Sequence, residues 1–319
     1  MFNGFSLNTI QDAKFGSTQV QQIYYGSTLI WPQGPQHDYS QDYLTIESLQ
    51  DFNEIYWKAS GIAPQLEDIY ASIDGGQTWS AYQSTTSGNG TYITTLSYGQ
   101  KIMFKVNETN HTVYGYSEGI SSDAHNGFVT TKKVNISGNI MALLYDNFIG
   151  QTTFKENTSY NPPRTYTNQF RFMFSDCKVV SAKNLILPAT TLTDYCYSEL
   201  FAYCSYLVEA PALPATTLAE GCYLGLFRDC IRLTEAPVLP ATILAPKCYY
   251  RMFGLQTTST TEYAALNTVR CYAQDISATD CLYQWMDHVA RTGTFYKDAN
   301  TTYPTGISGI PSTWNVVNI

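Results

Sequence analysis

Apolar residues recur at a fixed spacing in the second half of the chain. The phrase Leu-Pro-Ala-Thr begins at Leu187, at Leu213 and at Leu239, so that successive copies start 26 residues apart. Each copy is followed, at the same offset, by a Cys-Tyr pair and then by Leu-Phe or Met-Phe. A fixed period of about 20 to 30 residues with leucines in register is typical of a solenoid, whose units bury their apolar faces against each other. The pattern therefore predicts stacked repeats over residues 132–266.

The repeat also predicts which side chains form the core. The aromatic residues and cysteines lie at spacings of five and three, which place them roughly on one side of a short helical turn. The stretch from Leu207 to Leu213 is predicted to supply a strand. Cysteine recurs because a small, polarisable side chain fits a tight seam between units, and a ladder of disulfides or metal ligands is the alternative. The predicted repeat core consists of Phe174, Cys196, Phe201, Cys204, Cys222, Phe227, Cys230, Cys248 and Phe253.

The repeat loses its register after Phe253, and residues 267–319 are predicted to form a cap. A solenoid needs an atypical last unit to cover its final apolar face. Apolar spacing over residues 278–290 predicts a helix, with Ser277 or Thr279 as its N-cap. The segments 267–271, 293–296 and 314–317 are predicted to form the closing strands.

Short alternating segments separated by glycine turns predict an antiparallel β-sandwich over residues 38–131. These segments are rich in Tyr, Ile, Thr and Val, which favour strands. The predicted strands are residues 43–47, 54–58, 69–73, 92–96, 102–106 and 112–116. The predicted fold class is thus a mixture of β-structure and solenoid, with a β-hairpin module before the sandwich.

Residues 72–79 fit the pattern SxDxGxTW, which resembles the Asp box of sialidase propellers. In that family the box is a turn that stabilises a hairpin away from the reaction. A propeller would need several boxes and a cluster of arginines, whereas this chain has one box, and all its arginines lie outside the sandwich. The box is therefore interpreted as a structural turn. A glycan-acting enzyme is the alternative, and it rests on this motif alone.

Residues 1–37 form a predicted N-terminal module and linker. A Gly-Ser-Thr turn follows Phe15 and again Tyr25, which predicts a short meander of strands. So small a unit cannot hold a core, and an apolar surface of this kind marks an interface. An edge hairpin of the next domain is the alternative. The predicted attachment residues are Phe15, Ile23, Tyr24, Tyr25, Ile30 and Trp31.

Two parts of the chain resemble known proteins. The wording LPATTLxxxCYxxLFxxC resembles the BspA-type leucine-rich repeats of gut Bacteroidetes and their phages, crAss-like phages included. This resemblance covers about residues 132–319 and implies a leucine-rich-repeat solenoid with a cap. The wording VxxIYYGSTLIW resembles a short N-terminal module of Bacteroidetes phage structural proteins, which implies attachment to a particle. Architecture alone does not fix function.

The amino-acid composition limits the classes of partner that the protein is expected to bind. The net charge of −8 argues against a nucleic-acid-binding surface, which needs a clustered basic face. The longest apolar run, residues 140–145, is too short to span a membrane. The N-terminal residues show no secretory signal, which favours assembly in the host cytoplasm. The 26 tyrosines suit both strands and recognition surfaces.

No catalytic, cofactor or metal residue is predicted. The four histidines (His37, His111, His125 and His288) show no metal-ligand spacing. The chain has neither a GxSxG elbow nor a phosphate-binding glycine loop. Cys281 and His288 are seven residues apart, but the favoured interpretation is a helix that caps the solenoid. The expectation is therefore a protein that is not an enzyme and has no cofactor.

The first hypothesis is a phage virion protein, namely a head or tail fibre, a spike or a decoration. Residues 1–32 would bind other virion proteins, and the repeats would face a host-surface glycan or protein. Phage fibres are often trimers, so the resemblance implies a homo-oligomer, with three copies as the first expectation. The alternative is a bacterial surface adhesin that uses the same repeats.

Overall fold

The chain divides into two compact units, Met1–Asp38 and Tyr39–Ile319. The computed structural model describes residues 38–60, 68–83, 90–106, 125–157, 164–165, 167–256 and 261–319, together with four short strands within residues 1–37. In the small unit, β1 (Lys14–Phe15) pairs antiparallel with β2 (Thr18–Gln19), and β3 (Ile23–Tyr25) pairs antiparallel with β4 (Thr28–Trp31). The predicted linker lies outside the described residues except for Asp38.

The large unit is nearly all β, with several sheets and no α-helix among the described residues. In the described part of the chain, short 3₁₀ segments occur at Tyr39–Gln41 and Ile140–Leu143. The strands are β5 (Leu44–Ser48), β6 (Asn53–Ser60), β7 (Asp68–Ser72), β8 (Ser80–Gln83), β9 (Thr91–Leu96), β10 (Lys101–Lys105), β11 (His125–Thr130), β12 (Val134–Asn139), β13 (Glu156–Asn157), β14 (Arg164–Thr165), β15 (Val179–Ile186), β16 (Thr268–Cys271), β17 (Thr294–Lys297) and β18 (Asn315–Asn318). Among the described residues no helix is long and apolar enough to cross a bilayer.

Strands β5 to β12, together with β15, form a sandwich-like pair of sheets. A six-stranded sheet has the order β15-β12-β5-β10-β7-β8, and a three-stranded sheet has the order β11-β6-β9. Alternating side chains explain why the sheets pack, because in β10 Ile102 and Phe104 are buried while Lys101 is exposed. The rings of Phe104 and Phe128, from opposite sheets, lie 4.6 Å apart between centroids.

Five of the predicted sandwich strands overlap β5, β6, β7, β9 and β10. The sixth, residues 112–116, lies outside the described residues. The sequence missed β8 and β11. Strand β8 is largely exposed, so it lacks an apolar alternation, and β11 begins with the polar sequence His-Asn-Gly.

The sandwich and the repeats share one sheet and one core. Strand β12 pairs parallel with β15, the strand that leads into the first Leu-Pro-Ala-Thr copy at Leu187. The buried side chains form a single cluster that extends from Leu44 to Trp314. The predicted boundary between residues 131 and 132 therefore lies inside one compact unit.

The backbone of each repeat forms a series of consecutive turns, which we call the turn ribbon. The backbone N–H of Ser198 donates to the carbonyl oxygen of Tyr195 at 3.1 Å, three residues back, whereas an α-helix would use the fourth. The preceding N–H, of Tyr197, donates instead to the carbonyl oxygen of Cys222 in the following repeat at 3.0 Å. Left-handed φ angles recur every four residues, as at Tyr195 (54°) and Glu199 (54°), and they interrupt any helix. The predicted helical turn is therefore wrong.

The same ribbon occurs in the cap, where the predicted helix over residues 278–290 is also wrong. Asp280, Gln284 and His288 have φ angles of 55°, 48° and 55°. The stretch predicted as a strand from Leu207 has one parallel bridge, between Ser181 and Glu209, and no named strand. The three closing strands match β16, β17 and β18, which pair in parallel.

Candidate recognition surface on the stacked repeats

Two stacks of aromatic rings run through the repeats. The first holds the four predicted phenylalanines, and neighbouring centroids lie 5.5, 5.9 and 5.8 Å apart (Phe174, Phe201, Phe227 and Phe253). The second stack was not predicted as core, and its neighbouring centroids lie 5.8, 6.0, 6.3 and 6.1 Å apart (Phe170, Tyr197, Tyr223, Tyr249 and Trp285). The Cys-Tyr pairs at repeat spacing were the signal for this second stack. Offset ring stacking adds to the burial of each unit against the next.

The predicted core cysteines line the seams between repeats. All eight cysteines of the chain are free and buried. The thiols of Cys204 and Cys230 donate to the carbonyl oxygens of Phe174 and Phe201 in the preceding unit, each at 3.1 Å. The Cys177 thiol donates at the same distance to the carbonyl oxygen of Phe128 in β11 of the sandwich. Burial raises the pKa of the Cys196 thiol to about 12. Because the thiolate is the reactive form, these thiols are expected to be inert.

Replacing Cys222 with alanine is expected to cost about 1 to 2 kcal/mol of unfolding free energy, because it leaves a small cavity in a fully buried seam. Denaturant titration measures this loss. In the native wild-type protein, alkylation followed by mass spectrometry should label no core thiol, and after unfolding it should label all eight. A disulfide among Cys196, Cys222 and Cys248 in the non-reduced protein would contradict this account.

A polar strip of ion pairs runs beside the ring stacks. The carboxylate of Glu199 lies between the guanidinium groups of Arg171, at 3.4 Å, and Arg228. The guanidinium of Arg228 also lies over the ring of Tyr203, 4.9 Å from its centroid. Space for Glu199 comes from Gly225, where a Cβ would lie 3.0 Å from the Glu199 Cγ. The strip therefore holds charged side chains in fixed positions across neighbouring repeats.

A second ion group links the same repeats. The carboxylate of Glu220 accepts from the hydroxyl of Tyr195 at 2.8 Å and from the ammonium of Lys247 at 2.9 Å. The hydrogen bonds from Lys247 and Tyr195 lower the pKa of Glu220. Both ion groups join neighbouring units and help to fix the register of the stack.

The Asp box forms the hairpin turn between β7 and β8. The Asp74 carboxylate accepts from the backbone N–H groups of Gln77 and Thr78, at 2.9 and 3.0 Å, and from the Thr78 hydroxyl at 2.6 Å. The Trp79 indole N–H closes the turn by donating to the Gly76 carbonyl oxygen at 3.0 Å. The box is therefore a structural turn, as the sequence predicts.

Replacing Asp74 with asparagine tests the pH dependence of this turn. Hydrogen bonds from Thr78 hold the pKa of Asp74 well below its ordinary value. A depressed carboxyl pKa stabilises the folded state above the unfolded pKa, near pH 4, and this contribution is lost as pH falls further. The wild-type melting temperature should therefore fall between about pH 5 and pH 2 by more than that of Asp74→Asn. Equal acid sensitivity in the two proteins would contradict this.

The other candidate chemistry does not assemble into a site. The Cys281 thiol donates to the Ile276 carbonyl oxygen at 3.2 Å, while the Nδ1 of His288 lies 2.7 Å from Asp287. Among the described residues no group of three or more His, Cys, Asp or Glu side chains could hold a metal ion.

The predicted attachment residues fall on three of the four short strands of the small unit. The backbone places Phe15 in β1, the segment Ile23–Tyr25 in β3, and both Ile30 and Trp31 in β4. The side chains of these residues lie outside the described part of the chain.

Comparisons with protein-family models, with curated proteins and with solved structures found no match to this chain. The functional argument therefore depends on its own residues and geometry.

Proposed function

We propose that this chain is a structural and recognition protein of a phage particle, such as a fibre, spike or decoration. Residues 1–32 attach it to other virion proteins, and a BspA-type leucine-rich-repeat solenoid faces outward to a host-surface glycan or protein. The recurring turn ribbon, with hydrogen bonds from each repeat to the next, supports the solenoid assignment. The assignment to a phage particle is supported by the resemblance of the motif VxxIYYGSTLIW to an N-terminal module of phage structural proteins.

One observation carries the recognition role, namely the continuous core of residues 39–319. Phe128 of the sandwich stacks on Phe174 of the repeats with centroids 5.6 Å apart, so the sandwich closes one end of the ring stack. Stacked repeats create extended binding surfaces, and a preorganised surface loses little entropy on binding. Exposed tyrosines, including Tyr203 and Tyr283, lie along the repeats and suit recognition.

A bacterial surface adhesin is the second candidate, because the repeats resemble those of cellular proteins as well as those of phages. It would use the same recognition surface and differ only in what residues 1–32 bind.

Removing residues 1–38 tests the attachment role. The truncated protein should melt at the temperature of the full chain, because residues 39–319 form their own compact unit. It should be a monomer by light scattering, while the full chain should be an oligomer, with a trimer as the first expectation. Labelled at its C-terminus, the full chain should be incorporated into phage particles and the truncated chain should not.

The matched control keeps the module and changes only its apolar residues. Full chains that carry Tyr24→Ser or Trp31→Ser should lose oligomerisation and incorporation in the same way. Incorporation of the truncated chain, or its oligomerisation like the full chain, would overturn the attachment role.

A further inference from the structure

A notch of about 500 Å³ interrupts the polar strip near its C-terminal end. It lies beside Gly254, which occupies the position that Arg228 holds one repeat earlier and Asp287 holds one unit later. A volume of this size lies within the range of about 300 to 1,000 Å³ that is usual for small-molecule sites. Its polar lining comprises Arg228, Arg251, Gly254, Gln256, Gln284 and Asp287.

The side chains around the notch include both hydrogen-bond donors and a hydrogen-bond acceptor that do not have a partner among the described residues for all of their polar atoms. The Nε of Arg251 donates to the Gln284 side-chain oxygen at 2.8 Å, which fixes the guanidinium plane. Within the part of the chain that the structure describes, Arg251 has no ion-pair partner. One oxygen of Asp287 lies 2.7 Å from the His288 Nδ1, which leaves its second oxygen as an acceptor. Donors and an acceptor thus lie on either side of Gly254.

An aromatic platform borders the same place. The rings of Tyr250 and Tyr283 stack with centroids 4.8 Å apart and an interplanar angle of 22°. Neither ring lines the notch itself, but Arg251 does, and its guanidinium lies 5.6 Å from the Tyr250 centroid. Tyr283 is 39% exposed, which leaves part of its surface open to a ligand.

We propose that the notch over Gly254 binds a neutral sugar unit of a surface glycan. Each sugar hydroxyl both donates and accepts, so a pair of neighbouring hydroxyls can accept from Arg251 and donate to Asp287. The C–H face of the sugar ring can rest on the Tyr250–Tyr283 platform, which presents apolar surface with polar edges. The inference names the ligand class for the recognition role proposed above and rests on that role.

The charges favour a neutral sugar over an acidic one. The guanidinium of Arg228 is already bound to the carboxylate of Glu199. The remaining cation of the lining, Arg251, shares the notch with the carboxylate of Asp287 on the neighbouring unit. An anionic ligand would therefore face a carboxylate as well as a guanidinium, and the repulsion would offset the attraction.

Saturation-transfer NMR with the full chain tests the proposal. The probes are lactose, cellobiose, mannobiose and diacetylchitobiose, with digalacturonic acid as the acidic counterpart. At least one neutral disaccharide should receive saturation. Its Kd should rise roughly tenfold in Arg251→Gln and in Asp287→Asn, the loss expected for one hydrogen bond to a charged group.

Arg270→Ala is the matched control, because Arg270 pairs with Glu235 and does not line the notch. It should leave the Kd unchanged. Melting curves establish that each variant is folded, and Gln284→Ala replaces any variant that is not. The proposal is overturned if no neutral probe binds, if the acidic probe binds more tightly, or if the notch variants bind like the wild type. Sugar binding without incorporation into particles would refute the virion role alone, and incorporation without sugar binding would refute the sugar site alone.

Discussion

Replacing Phe227 with alanine is expected to lower the free energy of unfolding by about 3 to 5 kcal/mol. Phe227 is 1% exposed, and its ring is stacked between Phe201 and Phe253 at 5.9 and 5.8 Å. Removing the ring deletes two stacking contacts and leaves a cavity between rigid neighbours that cannot collapse into it. Because each repeat contacts only its neighbours, the loss weakens both of the interfaces that hold the unit.

Chemical denaturation of the full chain measures this effect. Phe52→Ala is the matched control, because Phe52 is 80% exposed and truncating it should change the stability by less than about 0.5 kcal/mol. If Phe227→Ala melted at the wild-type temperature, the register of the ring stack described here would be incorrect.

Replacing Glu199 with glutamine is expected to cost about 3 kcal/mol, within the range for removing one partner of a buried ion pair. The side chains of Glu199, Arg171 and Arg228 are only 7%, 14% and 15% exposed. The substitution keeps the shape of the side chain but removes the negative charge between two buried guanidinium groups. Their desolvation then has less compensation, and the folded state loses stability.

Glu235→Gln provides the comparison. Glu235 pairs with Arg270 at the surface, with side chains 60% and 34% exposed, so its loss should cost less than about 1 kcal/mol. Both variants replace a glutamate with glutamine, and they differ in how deeply the replaced side chain is buried. Similar losses of stability in both would show that Glu199 does not act as a buried charge.

The sequence predicts which side chains form the core of the repeats, but it does not predict the conformation of their backbone. The fixed period identified Phe201 and Phe227 as equivalent residues, because only side chains in register can stack. The turn ribbon depends on left-handed residues such as Tyr195 and Glu199, and neither residue type signals that conformation. Gly221 and Gly225, at the equivalent positions of the next repeat, give a hint of it. A helical spacing and a four-residue ribbon place apolar residues similarly, so periodicity alone could not distinguish them.

The polar strip was missed for a related reason. Glu199 and Arg228 occupy positions that vary between repeats, and a repeat consensus discards such positions. Their pairing follows from the offset between units, which places residues 29 apart in contact. The notch was hidden in the same way, because Arg251 and Gly254 in its lining also occupy positions that vary between repeats. The sandwich strands were easier to predict, since alternation along a strand directly reflects burial.

The alternating hydrogen bonds of the turn ribbon divide the amides of one unit into two classes. Ser198, Leu200 and Ala202 donate within their own unit, whereas Tyr197 and Phe201 donate to the next one. If two units part without unfolding, only the second class is released to solvent. If a unit unfolds, both classes are released. Amide hydrogen exchange at neighbouring residues can therefore distinguish separation of the units from melting of one of them.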